Sequence, residues 1–153
     1  MQSVLDRFRA IRWSYADKDV AAAHEMRRRI AQAARKNKLI RYSDLISGVT
    51  FRLPNVAGGE PFHIDPSDWS DLDRAILGDY LGYLSPETYE SHGFLASALV
   101  VSKNDDTPSE GFWNLMKILG LVGNSKSDKA MFFWADEVKK AREWYLEHPD
   151  RDI

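Results

Sequence analysis

His63, Asp65, His92 and Asp105 are the side chains best suited to hold a divalent cation or share a proton, and together they would make a metal-assisted hydrolase or nuclease. Each also has a plain structural use where it stands. His63-x-Asp65 ends a loop, His92 precedes Gly93 at a helix end, and Asp105-Asp106 suits a turn after an apolar run, with Glu110 in the first turn of the next helix. That run, HGFLASALVVSKNDDTPSEGF, ends at Lys103 as the catalytic strand of a restriction-type nuclease does. Two residues before the lysine, however, stands Val101 where the metal-binding carboxylate belongs. Calcium-loop, phosphate-loop and dinucleotide spacings are absent, and no serine lies in a Gly-x-Ser-x-Gly elbow. The sequence therefore assigns no catalytic residue, metal ligand or cofactor, and leans away from an enzyme.

Binding chemistry is better represented. Between Arg27 and Arg41 lie seven basic residues and no acid, whereas Glu60 to Glu90 holds eight acids and only Arg74 as a base. The formal net charge of -2 hides this polarity. Arg27, Arg28, Arg35, Lys36, Lys38 and Arg41 are the candidate contacts to phosphates, and Tyr42 offers a ring on which a base could stack. The opposing expectation is that the basic and acidic blocks neutralise each other, within one molecule or between two copies. The Phe132-Phe133-Trp134 cluster adds to that self-associating alternative, because three successive bulky residues cannot all face one side of a helix.

The elements that must position these residues follow from periodicity and punctuation. The pattern predicts helices over 3–15, from Asp17 or Lys18 to Lys36, from a Ser43 cap to Ile46 or Ser47, and from Asp65-Pro66 to Leu84. A further short helix follows Ser85-Pro86, and others run from Pro108 to Leu119 and from Ser127 to Glu147. Phe94 to Val101, apolar and β-branched, predicts a strand buried on both faces. The stretch from Thr50 to Ile64, with two prolines and Gly58-Gly59, predicts a long irregular loop. The expected fold class is α+β, mainly helical, a single domain over 1–153 with about six helices and a small sheet.

Composition sets the outer bounds. At 153 residues, 44% hydrophobic and 29% charged, the chain can bury a substantial core. Without a cysteine it has no disulfide, thiol catalysis or cysteine-ligated zinc. Charges throughout MQSVLDRFRAIRW and the lack of a long apolar run predict a cytoplasmic protein with no membrane partner.

The order of a helix, then Leu-Ile-Arg-Tyr-Ser-Asp-Leu-Ile, a loop, a long helix and Ala98-Leu99-Val100-Val101 resembles winged-helix domains over residues 25–104. It is most similar to those of alkyltransferase-like DNA-binding proteins. The resemblance implies a nucleic-acid partner and no alkyl transfer, since the Pro-Cys-His-Arg motif of the true enzymes has no counterpart. The helix at the recognition position is acidic, which would turn nucleic-acid contact toward Arg27–Arg41 or leave a protein-binding module. The reading is thus a non-enzymatic protein that engages DNA, RNA or an acidic partner through a basic helix.

Overall fold

The computed structural model describes residues 3–102, 106–108, 110–123 and 128–149. Among them are six α-helices and a two-stranded sheet, so the mainly helical α+β expectation holds. Helix α1 (Val4–Ala10) is opened by a capping box in which Ser3 and Asp6 exchange side-chain and backbone hydrogen bonds. It stops short of the predicted Tyr15 because Asp79 draws the following chain into a turn. The carboxylate of Asp79 accepts the N–H groups of Ser14, Tyr15 and Ala16 at 3.3, 3.0 and 2.8 Å.

Helix α2 (Val20–Arg35) is capped by Asp19, which accepts from Ala22 N–H with one oxygen and from Arg52 N–H with the other. Its inward face carries Ala22, Met26 and Ile30 as the spacing predicts. Strand β1 (Ile40–Arg41) leads directly into α3 (Tyr42–Ile46), whose cap position is held by Arg41 rather than the predicted Ser43. The other end of α3 is closed from outside the helix: Arg29 Nη1 donates to the carbonyls of Asp44, Leu45 and Ser47 at 3.1, 3.2 and 2.6 Å. The long loop that follows is pinched by an antiparallel bridge between Phe51 and Phe62, whose rings stack with centroids 5.6 Å apart.

Helix α4 (Asp71–His92) departs from expectation at both ends. Asp65 does not begin it, because its carboxylate accepts both the N–H and the hydroxyl of Ser67 and holds a turn; the cap is Ser70, paired reciprocally with Asp73. Nor does Ser85-Pro86 start a separate helix, since α4 continues through Pro86 to Gly93 at φ 76°. A proline removes one N–H and crowds the carbonyl four residues back. Here that residue is Gly82, while the Ser85 hydroxyl donates to the Leu81 carbonyl at 3.0 Å.

The predicted strand over 94–101 is corrected more heavily: Ala96–Leu99 form a 3-10 turn, and only Val100–Val101 extend as β2. β2 pairs in parallel with β1, Ile40 opposite Val100 and Arg41 opposite Val101. Buried backbone must find hydrogen-bond partners, and helix side chains supply them here. Glu137 accepts from Leu95 N–H at 3.0 Å, Thr88 Oγ1 from Ala96 N–H at 3.1 Å, and Trp134 Nε1 donates to Ala98 O at 2.8 Å. With those groups satisfied by α4 and by α6 (Asp128–Glu147), a wider sheet is not needed. Helix α5 (Glu110–Ile118) completes the set, and one continuous cluster of buried side chains runs from Phe8 to Tyr145. No helix among the described residues is long and apolar enough to cross a membrane.

Candidate functional site

The basic block does not present a uniform surface. Helix geometry sends part of α2 inward, and the arginines there become structural. Arg27 is half-buried with its guanidinium carbon 6.0 Å from the centre of the Tyr83 ring. Arg35 donates to the carbonyl of His148 at 3.0 Å and lies 6.0 Å from the Tyr145 ring centre, fastening α2 to α6. Arg28 is exposed but gripped by Glu25, whose oxygens lie 3.0 and 2.5 Å from Nε and Nη2. Hydrogen bonds from Arg28 first, and from Arg29 against the effect of burial, hold the Glu25 carboxyl at a pKa of about 2.

What faces water is a stripe at helical spacing, His24, Arg28, Gln32 and Lys36, with no carboxylate in it. Lys38 and Arg41 continue it beyond the helix, and both are exposed. Arg41 Nε lies 3.4 Å from Asp106. The next residue, Tyr42, turns away from the stripe and its half-buried side chain borders a cavity. Three of the eight acids in the acidic block, Asp65, Asp73 and Asp79, hydrogen-bond backbone N–H groups, the last of them those of Ser14 to Ala16.

That cavity, about 820 Å³, lies where α3, α4, α5 and the chain before α2 meet. Trp13 and Trp69 line it from segments outside the helices, Tyr42 and Ser43 from α3, and Phe112 and Leu115 from α5. Helix α4 contributes Leu77 and Leu81, together with Gly78 and Gly82, which at a spacing of four lie on one face. Gly82 has a packing reason: a Cβ there would come 2.9 Å from Cζ3 of Trp13. A Cβ at Gly78 would meet nothing within 4 Å. Of the two charged lining residues, Asp79 already accepts three backbone N–H groups, while Arg74 makes an exposed pair with Asp71 at 3.3 Å.

The other sequence-predicted cluster does not assemble. His63 is exposed with Nδ1 3.0 Å from the Val49 carbonyl, and Asp65 holds its turn, its carboxyl kept below the usual range by the Ser67 hydroxyl and then the Ser67 N–H. His92 lies 4.3 Å from the Trp144 ring centre, and Trp144 stacks in turn on His148 at 4.3 Å. Asp105 lies outside the described residues, among which no three His, Cys, Asp or Glu side chains are placed to hold a metal ion. Sequence reasoning overlooked Trp13, Gly78, Gly82 and Arg29. The glycines carried a signal, since two in mid-helix four residues apart each lower helix stability by roughly 0.8–1 kcal/mol relative to alanine and need a reason.

The described residues define a mainly helical α+β protein with an aromatic cavity and, on α2, an exposed basic stripe. No family model, curated protein or solved structure matches the chain.

Proposed function

We propose that this is a non-enzymatic, cytoplasmic binding protein that engages nucleic acid through the outward stripe of α2 and its continuation. Arg28, Lys36, Lys38 and Arg41 are the phosphate contacts, and Tyr42, which follows Arg41 in the chain and borders the cavity, is the ring on which a base reaching past the stripe would stack. The single observation that carries this is the outward stripe: His24, Arg28, Gln32 and Lys36, then Lys38 and Arg41, all exposed, with Arg28 beside Glu25 and Arg41 beside Asp106 and neither lysine in an ion pair among the described residues. Arg27 and Arg35 drop to a supporting role, since both are half-buried against tyrosine rings.

A winged-helix-like order is the arrangement we propose to accompany this surface, with α2, β1, α3, α4 and β2 in that sequence. The acids at the start of α4, Asp71 and Asp73, would repel phosphates from the usual recognition helix and leave α2 to meet them.

Fluorescence anisotropy of labelled single- and double-stranded oligonucleotides, titrated at about 50 and 200 mM salt, tests the reading. Binding that weakens steeply with salt, and is lost when Lys36 and Lys38 are both changed to Glu, is the expected result. Absence of binding at the lower salt would overturn it and leave an acidic protein or a second copy of the chain as the partner to seek.

A further inference from the structure

We infer that the cavity between α3, α4 and α5 is a binding site for a small planar aromatic anion, separate from the basic stripe. Its volume, about 820 Å³, falls in the range of ligand pockets, roughly 300–1,000 Å³. Four aromatic side chains, Trp13, Tyr42, Trp69 and Phe112, contribute to its wall, which favours a flat ring system held by stacking and edge contacts.

The polar groups set the sign of the ligand's charge. Three of the about four acceptor positions of the Asp79 carboxylate are taken by the N–H groups of Ser14, Tyr15 and Ala16, which partly offset its negative charge. The Ser97 hydroxyl is engaged with Ser85 at 2.7 Å. Arg74 is the cation on the wall, and its partner Asp71 is fully exposed, so a carboxylate or sulfonate on the ligand replaces a weak surface pair with a better one.

Gly78 is the second, independent observation. Its backbone is ordinary helix, without the positive φ that would require glycine, and nothing stands within 4 Å of where its Cβ would be. Any larger residue except proline would support α4 better and intrude on the cavity. The glycine keeps the space clear, a role that concerns a ligand rather than the fold.

The probe is 8-anilinonaphthalene-1-sulfonate, titrated into the full chain while its emission is excited through tryptophan. Saturable binding at one site per chain is expected, unaffected by the double change Lys36→Glu and Lys38→Glu. Gly78→Leu should weaken it by about tenfold or more with an unchanged or higher melting temperature, and Leu115→Trp, from the opposite wall, should do the same. Arg74→Gln should weaken the sulfonate probe while leaving its neutral analogue N-phenyl-1-naphthylamine unaffected. Should Gly78→Leu unfold, Leu115→Trp alone decides. Non-saturable binding, or equal affinity in the wall variants that fold, places the dye elsewhere and overturns the inference; equal loss of both dyes in Arg74→Gln overturns the anionic part.

Discussion

Glu137 is buried on α6, with Leu95 N–H 3.0 Å from one carboxylate oxygen and Lys140 3.6 Å from the other. Burial pushes its pKa up, and the Leu95 N–H and Lys140 offset this only in part. A carboxyl whose pKa is higher in the folded state adds stability below its unfolded value and loses that contribution as pH rises through the folded one. Glu137→Gln keeps an acceptor for Leu95 without the charge. Its stability relative to the parent should therefore rise as pH climbs above the ordinary carboxylate range, measured by thermal melts. Glu137→Ala strands a buried N–H, and urea denaturation should show a loss of roughly 1–3 kcal/mol. Glu25 behaves in the opposite sense. Held at about 2 instead of the ordinary 4.5 by Arg28 and Arg29, it adds stability above the ordinary value that is lost as pH falls toward the lower one. Glu25→Gln should cost up to about 1 kcal/mol near neutrality, and melts taken toward pH 2 should find variant and parent converging.

Helix α4 shows at the scale of an element how one residue type serves two purposes. Gly78→Ala should raise stability by about 1 kcal/mol, the full helix-propensity difference, because its Cβ meets open space. Gly82→Ala gains the same propensity but drives a methyl against Trp13, and overpacking of this kind costs about 1–3 kcal/mol. Its net effect should be zero to about 2 kcal/mol of destabilisation, since Trp13 borders a cavity into which it can give way. Denaturant midpoints of the two variants should thus move in opposite directions, or the second not at all. The faces of α2 and α4 were readable from sequence because Met26 and Ile30, and Ile76, Tyr80 and Leu84, recur at the helical period and are buried. The boundaries were less so, since Asp65, Ser67 and Ser70 are all acceptable cap chemistry, and the choice falls to competing local bonds, the Asp65–Ser67 turn and the Ser70–Asp73 capping box. The run from Phe94 to Val101 misled for a different reason. Burial on all sides looks the same whether strands or helices surround it, and of the groups that satisfy its backbone, Thr88 stands eight residues before Ala96 while Trp134 and Glu137 come from α6, remote in sequence. The cavity was hidden likewise, its walls being drawn from five separated segments.

Across the whole molecule, the charge polarity written in the sequence survives folding in altered form. Acids of the block from Glu60 to Glu90 turn to hydrogen-bonding backbone N–H groups at Asp65, Asp73 and Asp79, while basic residues divide between those that fasten helices and those that face water. This division decides which substitutions can report on binding. Reversing Arg35 would break its contacts to His148 and Tyr145 and so confound affinity with stability. Lys36 and Lys38 are exposed, and no ion pair involves either among the described residues, so Lys36→Glu with Lys38→Glu should leave the melting temperature near that of the parent. If each lysine neutralises one phosphate, the dependence of log affinity on log salt should become shallower by about 1.8 on duplex DNA and about 1.4 on single strands. The two values separate a duplex partner from a single-stranded one without knowledge of the sequence bound. A reversal that lowers affinity with the salt slope unchanged would mean that these lysines do not meet phosphates, and the nucleic-acid reading would then have lost the two cations of its stripe that make no ion pair among the described residues.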